Sequence, residues 1–255
     1  MQRSIKILVS AILIAGLAFL LAFTEKRYHS SKVKSLDFHI QLAGPDTIIL
    51  EKEVRDLVLR KFDSLEGEKV AMVNLEEIEN LIDSIAWLEY TDASITVTGK
   101  LRVNSHQKVP VARIMTNGNG NFYVDRMGNV LPEKINFPAY VPVLTFDRIT
   151  IPANQVTGLK ELDEPVLTEA LDFILKLREN EFMNSMVDQV HVNSDGKYEL
   201  VPKIGGHVIK FGNTERMNEK FENLLHIYKI VLPAKGWDYY SAINLEYEKQ
   251  VVCIK

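Results

Sequence analysis

The sequence predicts an α+β protein with three parts: one N-terminal transmembrane helix, a small β-α-α-β-β domain, and a mixed antiparallel β domain with flanking helices. Three observations lead to this prediction. They are an uncharged apolar run near the N-terminus, changes between alternating and helical hydrophobic spacing, and turn pairs rich in Gly, Asn and Asp. A chain of 255 residues has room for one large or two small folded units.

Composition excludes several classes of protein. Hydrophobic residues make up 46% and charged residues 25%, so the chain buries hydrophobic cores and is not globally disordered. The single cysteine, Cys253, rules out a disulfide-stapled mini-domain and zinc sites built on cysteine clusters. The net charge of −4 gives no support to nucleic-acid binding.

The first 35 residues carry the membrane prediction. Residues 7–23 form an apolar run without charge, near the short end of the length that spans a bilayer as a helix. A cleaved signal peptide is the alternative, but the run is longer than a usual signal h-region and ends without a clean A-x-A site. Residues 1–6 then form a short cytoplasmic tail and the polar, basic residues 24–35 a juxtamembrane linker, with the body outside the cytoplasm.

Residues 36–109 form the predicted small domain. Alternating apolar residues from Leu36 to Leu42 indicate a strand, and helical spacing over 51–63 indicates an amphipathic helix. Asn74 is a capping residue that starts a second helix. Two alternating stretches then flank Gly99-Lys100, a pattern that is typical of a hairpin.

Residues 110–255 form the second predicted domain. Short strands alternate there with turn signals such as 117–120, and amphipathic helices are predicted at 163–180 and from Thr214 onward. The final fifteen residues contain neither proline nor glycine and read as strands. At a sheet edge, their unpaired backbone groups would bind an extended segment of another protein; an edge protected by its own charges is the alternative.

The sequence shows neither a metal-binding histidine pattern nor a serine-hydrolase nucleophile motif. The six histidines lack the spacing of a metal site, and no G-x-S-x-G motif occurs. Carboxylate pairs such as Glu76-Glu77 begin predicted helices, where they complement the helix dipole. The sequence therefore predicts a protein that is not an enzyme and that binds no cofactor and no metal.

Four stretches resemble the FtsQ/DivIB family of bacterial cell-division proteins. They are residues 85–95, which look like the end of the family's POTRA domain, 107–113, similar to its E-R-x-P-V-A junction, 122–130, similar to its D-x-x-G-x-V hairpin, and 242–247, similar to its terminal I-D-L-R-Y strand. The sequence departs from the family pattern at Gly99-Lys100, where the family has a proline, and at Glu246, where it has an arginine.

The resemblance implies a non-catalytic scaffold of the divisome, anchored once in the inner membrane and periplasmic for most of its length, at the division septum. It implies that 36–109 is a POTRA-like domain, that the coiled-coil proteins FtsB/DivIC and FtsL are partners, and that the septal peptidoglycan synthase complex is recruited and regulated. By position, the strand that accepts FtsB supplies six candidate partner-binding residues: Leu245, Glu246, Tyr247, Val251, Val252 and Ile254.

Two alternatives stay open from the sequence. One is another POTRA-containing secretion or envelope-assembly component, which would predict further POTRA repeats or a membrane barrel. The other is a membrane-anchored enzyme that acts outside the cytoplasm, which would require carboxylates and a histidine to converge in a pocket of the β domain.

Overall fold

The computed structural model describes residues 12–19, 31–44, 47–115, 121–134, 138–147, 149, 158–162 and 164–255. The chain divides into two compact units, residues 1–108 and 109–255. Each unit has its own β-sheet, with three strands in the first unit and nine in the second. The fold is therefore of the mixed α+β class.

The transmembrane part of the predicted fold class is wrong. Among the described residues, no helix is long and apolar enough to cross a membrane. The described part of the apolar run is helical over residues 12–19, which we call α1. The rest of the predicted span 7–23, the tail 1–6 and linker residues 24–30 lie outside the described residues.

The first unit has the order β-α-α-β-β, as predicted. Its elements are β1 (Ser35–Gln41), α2 (Glu51–Lys61), α3 (Leu75–Asp83), β2 (Leu88–Ile95) and β3 (Lys100–Gln107), with a 3₁₀ turn at Val70–Met72. The central strand β3 pairs parallel with β1 and antiparallel with β2. The order of elements does not by itself identify a POTRA domain, and that assignment stays a prediction.

Local signals in the sequence explain the bounds of these elements. The side chain of Asn74 accepts a hydrogen bond from the Glu77 N–H at 3.2 Å and so caps α3, whose Ile78 and Ile82 are fully buried. Gly99 closes the β2–β3 turn at φ +85°, and a Cβ there would lie 2.6 Å from the carbonyl oxygen of Lys32. Only glycine fits that approach without strain.

The second unit contains most of the secondary structure. Its strands are β4 (Pro110–Ile114), β5 (Phe122–Asp125), β6 (Val130–Pro132), β7 (Val143–Phe146), β8 (Val187–Val192), β9 (Tyr198–Pro202), β10 (Val208–Gly212), β11 (Ala242–Asn244) and β12 (Val252–Ile254). Its helices are α4 (Pro165–Glu179), α5 (Glu181–Met186), α6 (Met217–His226) and α7 (Leu232–Lys235), and a π-helical segment, Ile227–Val231, joins the last two. The predicted turn at 117–120 lies outside the described residues.

The nine-stranded sheet is mixed: it contains antiparallel pairs, as predicted for this domain, and parallel pairs as well. Its strand order is β12-β11-β10-β9-β8-β7-β4-β5-β6. Three neighbouring pairs are parallel: β4 with β7, β7 with β8, and β10 with β11. Parallel neighbours need a long crossover, and helices α4–α5 and α6–α7 supply two of them.

One hydrophobic cluster fills the space between the helices and the sheet. Phe173 of α4 stacks on Tyr198 of β9 with ring centroids 4.1 Å apart, and Phe221 of α6 lies 5.6 Å from Phe211 of β10. All four rings belong to this buried cluster. We call this side of the sheet the helix side and the opposite one the outer face.

Candidate partner-binding site

Strand β12 is the edge strand at one end of the nine-stranded sheet. It pairs antiparallel with β11, and no second neighbour pairs with it among the described residues. An edge strand leaves a row of backbone N–H and C=O groups without sheet partners, and such a row is a template for pairing with another chain. The C-terminal strand therefore has the position that strand addition requires.

The hydrogen bonds of β11 establish which of its residues point toward β12. The carbonyl of Ser241 and the N–H of Leu245 both hydrogen-bond to β10, at 3.1 and 2.9 Å. Backbone groups of successive residues point to opposite sides of a strand. The backbone groups of Ala242 and Asn244, which lie between them in the alternation, therefore point toward β12.

The same alternation identifies the backbone groups on the free edge. Ala242 is paired with Ile254, and Asn244 with Val252. The backbone groups of Val252 and Ile254 consequently face β11. Those of Cys253 face the opposite way, so its N–H and C=O are the central donor and acceptor that β12 offers to an incoming strand.

The opposite edge of the sheet is less suited to strand addition. Strand β6 ends in Pro132, which has no N–H to donate to a ladder. The residue preceding β6, Asn129, forms an isolated bridge with Gly158, and the N–H of Leu159 donates to the carbonyl of Gly128 at 2.8 Å. A proline and a neighbouring segment thus protect β6, whereas β12 lacks a proline.

Comparison with known protein families adds the identity of this unit. A family model described as FtsQ/DivIB, C-terminal related, matches residues 109–254, which is more than half of the chain. The chain belongs to the FtsQ/DivIB family. The FtsQ/DivIB resemblance stated above is thereby confirmed, and with it a role in cell division, as part of a division complex. The comparison with curated proteins found no match.

The six candidate residues of this FtsQ/DivIB family member differ in their surroundings. Leu245 is only 2% exposed and belongs to the hydrophobic cluster, so its side chain is not available to a partner. Val251 is partly buried and packs against the same cluster. Tyr247, Val252 and Ile254 are exposed by 51%, 36% and 40%, which leaves these three side chains at the surface.

Glu246, the sixth candidate, is held by its own chain. Its carboxylate accepts from the ammonium of Lys197 at 2.6 Å and from the side-chain amide of Asn244 at 3.3 Å. The hydrogen bond from Lys197 lowers the pKa of Glu246. Its carbonyl accepts from the guanidinium of Arg216 at 3.2 Å. These contacts fix the connection between β11 and β12 and so position the edge strand.

Two exposed aromatic residues that were not among the six candidates lie just before β11. They are Trp237 and Tyr239, and both precede the strand rather than belong to it. The Lys255 ammonium lies 4.8 Å from the Tyr239 ring centroid, and its hydrogen bond to the phenol lowers the pKa of Tyr239. In the sequence, the clustering of aromatic residues at 237–240 is the feature that could have indicated this exposed group.

A histidine and a carboxylate meet on the outer face, as the enzyme alternative requires in part. His191 Nε2 lies 3.2 Å from an oxygen of Asp147, and His191 Nδ1 lies 2.9 Å from the hydroxyl of Thr145. Asp147 is exposed and the other two residues are half-buried. These three residues lie on an open sheet surface and not in the concave, water-excluding pocket of an active site.

Proposed function

We propose that this FtsQ/DivIB family protein is a non-catalytic scaffold of the divisome that acts at the division septum. In this proposal it recruits and regulates the septal peptidoglycan synthase complex by binding FtsB/DivIC-like and FtsL-like coiled-coil proteins. The observation that carries the proposal is the free edge of β12, which lies within the part of the chain that matches the family. An extended segment of the FtsB/DivIC-like partner adds a further strand at that edge.

Backbone pairing supplies affinity in this mode of binding, and side chains at alternate positions supply specificity. Val252 and Ile254 alternate with Cys253, so both side chains lie on one face of β12, and both are exposed. They offer an aliphatic surface to the partner. Tyr247 adds an exposed aromatic ring, whereas Leu245 and Glu246 act indirectly by holding the β11–β12 connection in place.

The proposal is tested by changing one exposed side chain on β12 and a matched one elsewhere. Ile254→Glu places a charge where the partner strand packs, and we expect binding of the FtsB/DivIC-like protein to weaken about tenfold, from the loss of roughly 1.5 kcal/mol of apolar burial. Ile204→Glu is the control, because Ile204 is also exposed in the same unit but lies on the β9–β10 connection.

Both variants are measured as the full chain, by calorimetric titration and by the position of a fluorescent fusion in dividing bacteria. We expect Ile254→Glu to reduce binding and recruitment of the partner to mid-cell, and Ile204→Glu to leave both unchanged. Equal affinity of the two variants, with unchanged melting temperatures, would show that β12 is not the docking edge. A fusion that never concentrates at mid-cell would remove the divisome proposal itself.

A further inference from the structure

Strand β1 is an open edge of the three-stranded sheet in the first unit. The strand order of that sheet is β1-β3-β2, so β3 is the one strand neighbour of β1 within the part of the chain that the structure describes. The two strands pair over seven residues without a register shift, and β1 contains no proline. Regular edges without a proline or a bulge are those that pair most readily with a further strand. The β12 proposal does not use this edge.

Backbone contacts just before β1 establish which of its groups point outward. The N–H of Lys34 donates to the carbonyl of Gly99 at 2.7 Å, on the side of β3. The N–H of Val33 points the other way and donates to the carbonyl of Glu68 at 2.9 Å. These directions alternate along a strand, so the odd-numbered residues of β1 direct their N–H and C=O groups to the free edge. Those residues are Ser35, Asp37, His39 and Gln41.

The other edge of this sheet, strand β2, is protected against further pairing. The N–H of Ala93 donates to the Glu79 carboxylate of α3 at 2.7 Å, so this donor of the edge strand is already used. A bulge between Leu88 and Thr91 also interrupts the pairing of β2 with β3. Bulges are one of the devices with which natural proteins keep edge strands from pairing. The regular strand β1 is therefore the better template.

We propose that β1 pairs with β1 of a second copy of this chain, antiparallel about a two-fold axis. An interface with two-fold symmetry brings the same strand of both copies together, and the register that uses the whole strand places Phe38 opposite Phe38 of the copy. Asp37 then lies opposite His39 of the copy, and Ser35 opposite Gln41. In this register every outward backbone group meets an outward group of the copy, as an antiparallel ladder requires.

The side chains of β1 are complementary to themselves in this register, which favours a second copy over an unrelated strand. Cross-strand neighbours of opposite charge stabilise an antiparallel pair, and like charges directly opposite each other destabilise it. The hydrogen bond from Lys100 lowers the pKa of Asp37, so this side chain is a carboxylate. Opposite it lies the exposed imidazole of His39, which is positively charged when protonated. Ser35 and Gln41 are exposed, uncharged and able to hydrogen-bond to each other.

The contacts of Asp37 and His39 within their own chain leave one polar atom of each for the copy. The Lys100 ammonium lies 2.7 Å from Asp37 Oδ2, and Glu51 Oε1 lies 3.2 Å from His39 Nδ1. Among the residues that the structure describes, neither Asp37 Oδ1 nor His39 Nε2 has an ion-pair partner. These two atoms can therefore form a cross-strand hydrogen bond in the dimer while both existing contacts persist.

The interface is small, because it consists of one seven-residue strand from each copy. Interfaces of this size belong to weak, reversible associations rather than to permanent dimers. Each dimer would carry two copies of the β12 edge and so two docking positions for the partner. The proposal does not depend on strand addition at β12, so either one can fail without the other.

Disulfide trapping in the full chain tests the register. Asp37→Cys and His39→Cys are made separately in a Cys253→Ala background, mixed and mildly oxidised. Opposite residues of a hydrogen-bonded pair have Cα atoms about 5.5 Å apart, within disulfide range, whereas thiols of two identical variants sit on a diagonal of about 7–8 Å. We expect the mixed dimer to form faster than either dimer of one variant. Asp92→Cys with Ser94→Cys, two exposed positions on β2, is the matched control and should not be trapped. Equal rates for mixed and identical pairs, or trapping no faster than in the β2 control, would overturn the proposal.

Sedimentation velocity of the full chain tests the charge complementarity. His39→Asp places two carboxylates opposite each other at both symmetric positions, so we expect dimerisation to weaken about tenfold. His39→Gln is the matched control, because it keeps a hydrogen-bonding side chain without the repulsion, and it should dimerise nearly as the parent does. Thermal unfolding establishes that each variant is folded. A parent chain that stays monomeric, or a folded His39→Asp variant that dimerises like the parent, would refute the proposal.

Discussion

Cys253→Pro tests the use of the β12 backbone directly. The Cys253 N–H faces the free edge, so proline removes the donor that a partner strand needs without removing a hydrogen bond to β11. Proline is tolerated in edge strands on the side that faces solvent, and it keeps the preceding Val252 extended. The substitution therefore acts on binding more than on the fold.

The magnitude follows from the single hydrogen bond that is lost. The partner's carbonyl would be left in the interface without a donor, which costs about 1–3 kcal/mol. At about 1.4 kcal/mol per factor of ten, the dissociation constant rises roughly 5- to 150-fold. The thiol is partly buried and packs against the hydrophobic cluster, so its loss has an effect of its own that needs a control.

Cys253→Ala is that control, since it removes the thiol and keeps the backbone N–H. Calorimetric titration of the FtsB/DivIC-like partner into each full-length variant measures the affinities, and thermal unfolding checks that both are folded. We expect the proline variant to bind more weakly than the alanine variant by the factor given above. If both bind equally while both are folded, the outward N–H of β12 takes no part in docking and the reasoning is refuted.

Three further predictions concern stability, each measured by urea unfolding of the full chain. Burial lowers the pKa of His207 below its ordinary 6.5. Below about pH 6.5 the unfolded chain therefore binds more protons than the folded chain, so the free energy of unfolding should decrease as the pH is lowered. The decrease should be less steep in His207→Gln, and equal slopes for the parent and this variant would contradict the prediction. Gly99→Ala should cost about 1–3 kcal/mol at its positive φ, and an unchanged midpoint would exclude strain there. Lys220→Met should lower the free energy of unfolding by about 1–3 kcal/mol, because the Lys220 ammonium donates to the Asn213 carbonyl at 2.8 Å. An unchanged free energy would mean that water replaces the ammonium as the donor to this carbonyl.

Short-range patterns predicted the first unit well because they depend on neighbouring residues. Asn74 caps α3 as its sequence context indicates, and Gly99 closes the predicted hairpin at a positive φ. The prediction of a membrane span from the apolar run at 7–23 is wrong for the described residues, in which no helix is long and apolar enough to cross a membrane.

Longer-range features of the second unit were less predictable. The family resemblance predicted one strand over 242–247, but β11 ends at Asn244, and Glu246 instead binds Lys197 from the distant β8–β9 turn. The parallel pairs of the sheet depend on crossovers that place remote segments side by side. Such contacts between remote residues leave no periodic signal in the sequence.

By itself, the amino-acid sequence determined the family and the helix-forming and strand-forming segments, and it made the last residues candidates for partner binding. It could do so because motifs and hydrophobic periodicity are local and follow the order of the chain. Only the tertiary structure decided that β12 lies at the edge and that Leu245 is core while Ile254 is exposed. Edge position and burial arise from contacts between segments that are far apart in the chain, and the packing of the whole unit sets them.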